Sequence, residues 1–162
     1  MLQLLNLSSI TLLMIVTGCS TTKQLSAQSA ADQAAVIQVV SDLFEAMKQQ
    51  DGEVIRSLHL PEVALIRVMD NAKPTVRLGP PDGFINSIVN APAEPRERMF
   101  NPEVRVDGNL ATLWAPYDFH LGYDFSHCGV NALQLVRTDS GWRIVTIAYT
   151  VHQEDCDHAP PS

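Results

Sequence analysis

Between Ala30 and Gln50 apolar residues recur at Val36, Val39, Val40, Leu43, Phe44 and Met47. The spacing i, i+3, i+4, i+7, i+8, i+11 marks one face of a helix, and alanine-rich flanks favour that helix. Asp51-Gly52 is expected to end it, with Gly52 free to adopt a left-handed cap. Asp51 is also placed to cap a short second helix over Glu53 to Leu58, closed by Pro61. Val63 to Met69 and Thr75 to Leu78 read as strands on either side of the Asn71-Ala-Lys-Pro74 turn. Gly79-Pro-Pro-Asp82 then breaks the chain and starts a helix with Phe84, Ile85, Ile88 and Val89 on one face, stopped by Pro92 and Pro95.

From Arg96 the period is that of strands. Met99, Val104 and Val106 belong to a strand that Pro102 interrupts or bulges. Asn109 to Leu121, Phe125 to Arg137 and Trp142 to His152 follow, linked by turns at Asp107-Gly108, Gly122-Tyr-Asp124 and Asp139-Ser-Gly141. Asp-Gly is a strong two-residue hairpin signal. Links this short make consecutive strands antiparallel neighbours. The order is helix, helix, strand, strand, helix, four strands. Together with Asp107-Gly-Asn-Leu-Ala-Thr-Leu-Trp-Ala115, Phe125-Ser-His-Cys-Gly-Val130 and Gly141-Trp-Arg-Ile-Val-Thr-Ile-Ala148, it resembles the nuclear transport factor 2-like superfamily over Ala30 to Val151. That group includes ketosteroid isomerases, scytalone dehydratase and SnoaL-like polyketide cyclases. The resemblance implies an α+β cone, a long N-terminal helix packed in a strongly curved mixed or antiparallel sheet. It also implies a cavity at the open end and dimers through the sheet.

Composition narrows the function classes. The 162 residues carry a net charge of −7 and are 46% hydrophobic, enough for one real core. An acidic chain lacks the basic face that neutralises phosphates, so no nucleic-acid partner is expected. Leu2 to Val16 is apolar but too short and interrupted for a spanning helix, and suits the core of a signal peptide. It leads into Val16-Thr17-Gly18-Cys19-Ser20, which resembles a bacterial lipobox, although Met1 to Ile10 holds no Lys or Arg. On that reading residues 1–18 are a lipoprotein signal, Cys19 is lipidated and 19–29 is a flexible Ser/Thr/Gln-rich tether. Residues 30–154 form the domain and 155–162 a tail. Ser20, rather than Asp, after the cysteine resembles enterobacterial lipoproteins sorted to the outer membrane, which implies a chain anchored there and facing the periplasm. An ordinary signal cut near Ala27 to Ala31, giving a soluble exported protein, is the competing reading.

Strand alternation sorts the sheet residues into two faces, either of which can be the concave one. Leu113, Ala115, Tyr117 and Phe119 share one face of their strand; Thr112, Trp114, Pro116, Asp118 and His120 share the other. His127, Gly129, Asn131 and Leu133 share a face of the next. On the last, Trp142 and Ile144 oppose Ile147 and Tyr149. The candidate pocket residues are Asp70, Trp114, Tyr117, Asp118 and His127. Asp118 and His127, beside Tyr117, are the right types for acid–base chemistry of the isomerase, dehydratase or cyclase kind. The plainer reading makes Asp118 and His120 solvated hairpin residues and His127 a structural histidine. Asp70 and Tyr117 suit a ketosteroid isomerase-like pair, and Tyr123 a dehydratase-like one, but no family motif is matched residue by residue, so no catalytic role is carried over. The first expectation is a binding domain for a small, partly apolar molecule or a protein partner, without cofactor. The tail His152-Gln-Glu-Asp-Cys-Asp-His158 matches no zinc spacing, and no metal is expected. Centring the last hairpin on Ser140 sets Cys128 opposite His152. A tail that curls back brings Cys156 within disulfide reach of Cys128, the alternative being two separate thiols.

Mass spectrometry of the membrane-fraction protein tests the lipobox. A chain beginning at an acylated Cys19 is expected; an unmodified chain that begins upstream of Cys19 overturns it.

Overall fold

The computed structural model describes residues 19–69, 75–154 and 156. The elements are α1 (Cys19–Lys48), α2 (Gly52–Ser57), β1 (His59–Met69), β2 (Thr75–Gly79), α3 (Pro81–Val89), β3 (Pro95–Met99), β4 (Glu103–Asp107), β5 (Leu110–Leu121), β6 (Asp124–Thr138) and β7 (Gly141–Val151). One sheet runs in the order β2-β1-β7-β6-β5-β3, with β4 beside the first half of β5. Only the β1–β7 pair is parallel, so the sheet is mixed.

The predicted helical stripe is the side of α1 that packs into the sheet. Val36, Val40, Leu43 and Met47 are buried, with Val39 and Phe44 at the margins. They meet Leu65, Leu113, Ala115, Leu133, Leu135 and Ile144 from the sheet's inner face. The α1 backbone is already helical from Cys19, through the segment read as a tether. That stretch holds neither Gly nor Pro after Cys19, so nothing in it breaks a helix.

The end of α1 departs from expectation. Gln50, not Gly52, takes the left-handed conformation (φ 55°). Its amide donates to Met47 O and that of Asp51 to Ala46 O, the paired bonds of a Schellman turn. The Gln50 side chain explains the choice, because its Nε2 donates to Ile88 O and Ala91 O at the end of α3 (3.1 and 3.0 Å). Gly52 serves close approach instead. A Cβ there would lie 3.0 Å from a Val89 methyl and 3.2 Å from an Ile85 methyl. Asp51 caps α2 through bonds from the Glu53 and Val54 amides. Pro61 does not close a helix; it lies inside β1, where the register with β7 shifts between His59 and Ala64.

The interrupted strand is two strands. β3 pairs with the second half of β5 and β4 with the first, and at the break Phe100 N donates to Pro116 O (2.8 Å). Asn101 takes φ 45° and Pro102 has no amide to give, so the edge kinks there. The β4–β5 turn is Gly108-Asn109, one residue later than the Asp-Gly signal, with Gly108 at φ 57°. Two bulges curl the sheet. Ser126 is extra in β6 opposite β5, and Val145 is extra in β7 opposite β6.

Gly129 is where three strands lock. Tyr117 pairs across β5–β6 with Gly129, and its hydroxyl reaches over β6 to donate to Thr150 O on β7 (2.7 Å). Val130 N donates to Thr150 Oγ1. A Cβ on Gly129 would fall 2.2 Å from Thr150 O. Gly129→Ala is therefore expected to destabilise by about 3 kcal/mol through forced backbone movement. Gly83→Ala, in α3 with open space around it, is expected to stabilise by about 0.5–1 kcal/mol. Urea midpoints check both; two effects of the same sign would contradict this account.

Candidate functional site

The α1 helix ends at Lys48, and the inner face of the sheet extends beyond its last turn. Past Met47 the gap is closed by α3, and a cavity of about 180 Å³ remains. Its apolar walls come from α1 (Leu43, Phe44, Met47), α3 (Phe84, Ile88) and the sheet (Leu65, Phe119, Leu133, Ile147). Into it turn Arg67 from β1, Glu97 from β3, Tyr117 from β5, His127 and Asn131 from β6, and Tyr149 from β7. Alternation puts each of these on the inner row of its strand. On β7 the Val145 bulge resets the parity, so Ile147 and Tyr149 point inward together with Trp142 and Ile144.

Glu97 accepts a hydrogen bond from Asn131 Nδ2 (2.6 Å). Enclosure of its carboxyl pushes its pKa up to about 7; the Asn131 bond opposes the shift and the nearby Asp118 charge adds to it. His127 moves the other way. Burial, then the charge of Arg67, push it down to about 4, so it is neutral at pH 7. Its ring lies 5.0 Å from that of Phe119 and edge-on to that of Tyr117 at 5.8 Å, and Nδ1 is 3.0 Å from Ser126 Oγ. Burial raises the pKa of both Tyr117 and Tyr149. Tyr117 spends its hydroxyl proton on the Thr150 carbonyl.

The sequence-level candidates separate. Tyr117 and His127 line the cavity. Trp114 lies on the outer face and is 54% exposed, so it neither plugs nor lines the cone. Asp118 also faces outward, as its parity with Trp114 requires. It is 2% exposed because Arg98 and His120 cover it. Burial pushes its carboxyl upward, but the bonds and charges of Arg98 and His120 outweigh that and hold it below the ordinary range. The acid–base set Asp118, His127 and Tyr117 is thus divided by the sheet. Tyr123 is exposed at the hairpin with Arg96 over its ring. Asp70 lies outside the described residues. Cys128 and Cys156 form a disulfide with Cα atoms 5.9 Å apart, and Cys128 pairs with His152. Among the described residues no group of three His, Cys, Asp or Glu side chains is placed to hold a metal; Asp155, Asp157 and His158 of the tail lie outside them.

Arg67, Glu97, Asn131 and Tyr149 were not singled out from the sequence. Arg67 had a signal, as the third inward position after Val63 and Leu65 in a strand pattern. Glu97 had none, because Arg96-Glu97-Arg98 reads as a solvated run of charges.

Residues 31–150 match the sequence model of a family described as "Putative lumazine-binding". The chain belongs to that family. Solved structures share the fold of this lumazine-binding-like domain. A nuclear transport factor 2-like protein with a cystatin-like fold from Novosphingobium aromaticivorans has a TM-score of 0.67 at 13% identity, covering 88% of this chain and 96% of its own. One of unknown function from Shewanella baltica has a TM-score of 0.60 at 19% identity, covering 77% and 97%. One from Streptomyces avermitilis, described as a "putative dehydratase" of the nuclear transport factor 2-like family, has a TM-score of 0.61 at 18% identity, covering 77% and 99%. The chain thus shares the fold of nuclear transport factor 2-like proteins. No curated protein matches it.

Glu97 and His127 give opposed pH dependences. The native Glu97 pKa near 7 lies above its ordinary 4.5, so its contribution is full below pH 4.5 and lost as pH rises through 7. The native His127 pKa near 4 lies below its ordinary 6.5, so its contribution is full above pH 6.5 and lost as pH falls through 4. Between pH 4.5 and 6.5 they offset each other. Glu97→Gln keeps an acceptor for Asn131 and removes one of the two. Its stability should rise with pH relative to wild type, the difference changing by about 3 kcal/mol between pH 4.5 and 7. Urea unfolding across that range checks it; parallel stability curves would refute the assignment.

Proposed function

We propose that this domain binds a small molecule with an apolar body and a polar edge in its cone cavity. The observation that carries the reading is the partly open, mainly apolar cavity into which Arg67, Glu97, His127 and Asn131 converge, the usual make-up of a small-molecule site. At about 180 Å³ it is smaller than the 300–1,000 Å³ typical of drug-sized ligands, which favours a compact ligand of one or two rings. The family description supports a flat heterocycle such as lumazine as the first probe. Binding is favoured over catalysis because Tyr117 has committed its proton to Thr150 and Asp118 faces away. The Glu97 carboxyl, titrating near neutrality, supports a second reading in which it serves as the acid–base group of an isomerase, dehydratase or cyclase.

We further propose that the chain is exported and held at the outer membrane, facing the periplasm, through a lipid on Cys19. The Cys128–Cys156 disulfide supports export, since such bonds persist in oxidising compartments. The mass measurement at Cys19 described above decides the anchor.

Isothermal titration with lumazine is expected to give saturable binding with Kd about 2 mM or tighter, from about −0.3 kcal/mol per non-hydrogen atom. Ser87, exposed at the cavity margin on α3, is the position at which to close it. Ser87→Trp should weaken binding at least about tenfold with little loss of stability. Lumazine binding that is indifferent to Ser87→Trp would place the ligand elsewhere.

A further inference from the structure

We infer that Arg67 is the ligand's counter-ion, and that the cavity therefore takes a small carboxylate whose apolar body lies against Phe44, Phe84 and Phe119. The inference rests on the reading of the cavity as a small-molecule site and names the class of molecule it takes.

Arg67 follows Val63 and Leu65 on the inward row of β1, where an apolar residue would serve packing better. It cannot turn away. β1 is held on both sides, with Arg67 opposite Tyr149 on β7 and opposite Arg77 on β2. A one-residue slip would exchange the whole inner row for Ile66 and Val68. The guanidinium Nε is enclosed and has no hydrogen-bond partner among the described residues. Arg56, Arg96, Arg98 and Arg137 each pair with a carboxylate, but no such pair is formed by Arg67 among the described residues.

Among the described residues the neighbours leave that charge unmet. His127 and the two tyrosines beside Arg67 carry no negative charge at pH 7. Glu97 stands on β3, at the opposite end of the sheet, bonded to Asn131 and beyond ion-pair distance of Arg67. A guanidinium keeps its charge in any protein setting, and an enclosed charge without a partner is costly. A carboxylate meets that need with two parallel hydrogen bonds to the planar fork. The apolar walls favour a singly charged acid with a hydrocarbon body over a strongly hydrated, multiply charged phosphate.

The test compares benzoate with benzamide, its neutral counterpart of the same shape, by calorimetric titration of the whole chain at pH 7. Lumazine is titrated in parallel. Wild type is expected to bind benzoate about tenfold or more tightly than benzamide. Arg67→Met should lose that preference while keeping benzamide affinity within about twofold. Arg67→Lys, which retains the charge without the fork, should fall between them. Equal affinity of wild type for benzoate and benzamide would overturn the inference, as would a benzoate preference that survives in Arg67→Met. If Arg67→Met fails to fold, the wild-type ratio and Arg67→Lys decide. Lumazine binding without benzoate binding would leave the cavity reading standing and remove the carboxylate. Failure of all three probes would remove both.

Discussion

The apolar stripe of α1 must be covered along its length by a single sheet, and a flat sheet cannot do that. The rest of the architecture is a set of devices for bending one. Extra residues at Ser126 and Val145 tighten the twist in β6 and β7. The edge strand breaks at Pro102, so that β3 and β4 follow β5 round its curve as two pieces. Gly129 lets Thr150 approach the backbone of β6 while Tyr117 ties β5 to β7 across it. Each device sits in the half of the chain whose inner face must wrap the helix.

The cavity follows from the same geometry. α1 ends at Lys48 in a Schellman turn, but the strands run on past it. α3 closes the wide end, docked through Gln50 and the close fit at Gly52. One helix and one short lid do not fill a cone, and what they leave has apolar walls from both helices and the sheet, with its charged groups supplied by the sheet. The residues there meet desolvation differently. Burial shifts Glu97 and His127 toward their neutral forms, so that Glu97 titrates near pH 7 and His127 has lost its proton there. A guanidinium has no such route, and among the described residues Arg67 forms no ion pair.

The sheet also separates what alternation along one strand joins. Tyr117 and Asp118 are neighbours in sequence and on opposite sides in space. On the outward side Asp118 pairs with Arg98 and lies beside His120, while the inward groups line the cavity. Function thus depends on which side of β5 is concave, a property of the whole sheet.

Much of the fold was legible locally. The α1 stripe, the Asp51 cap and the antiparallel succession of β5, β6 and β7 follow from periodicity and turn chemistry, which act over a few residues. Hairpin counting from Ser140 reached the Cys128–His152 pair only because the Val145 bulge shifts a hairpin centred between Asp139 and Ser140. The inner and outer rows of β5 and β6 were legible as sets, because side chains alternate strictly there. Three things were decided only by tertiary structure. Which row faces inward depends on the direction of curvature, and this moved Trp114 and Asp118 out of the site. The Val145 bulge reversed the parity of β7 and brought Tyr149 in, a shift that an unbroken pattern cannot reveal. Glu97, one charge among three in a row, became a near-neutral carboxyl because β3 pairs with β5 and turns that one side chain toward α1 and Asn131. Local rules assign a residue to a face; burial, and with it charge state and function, is set by what the rest of the chain places over that face.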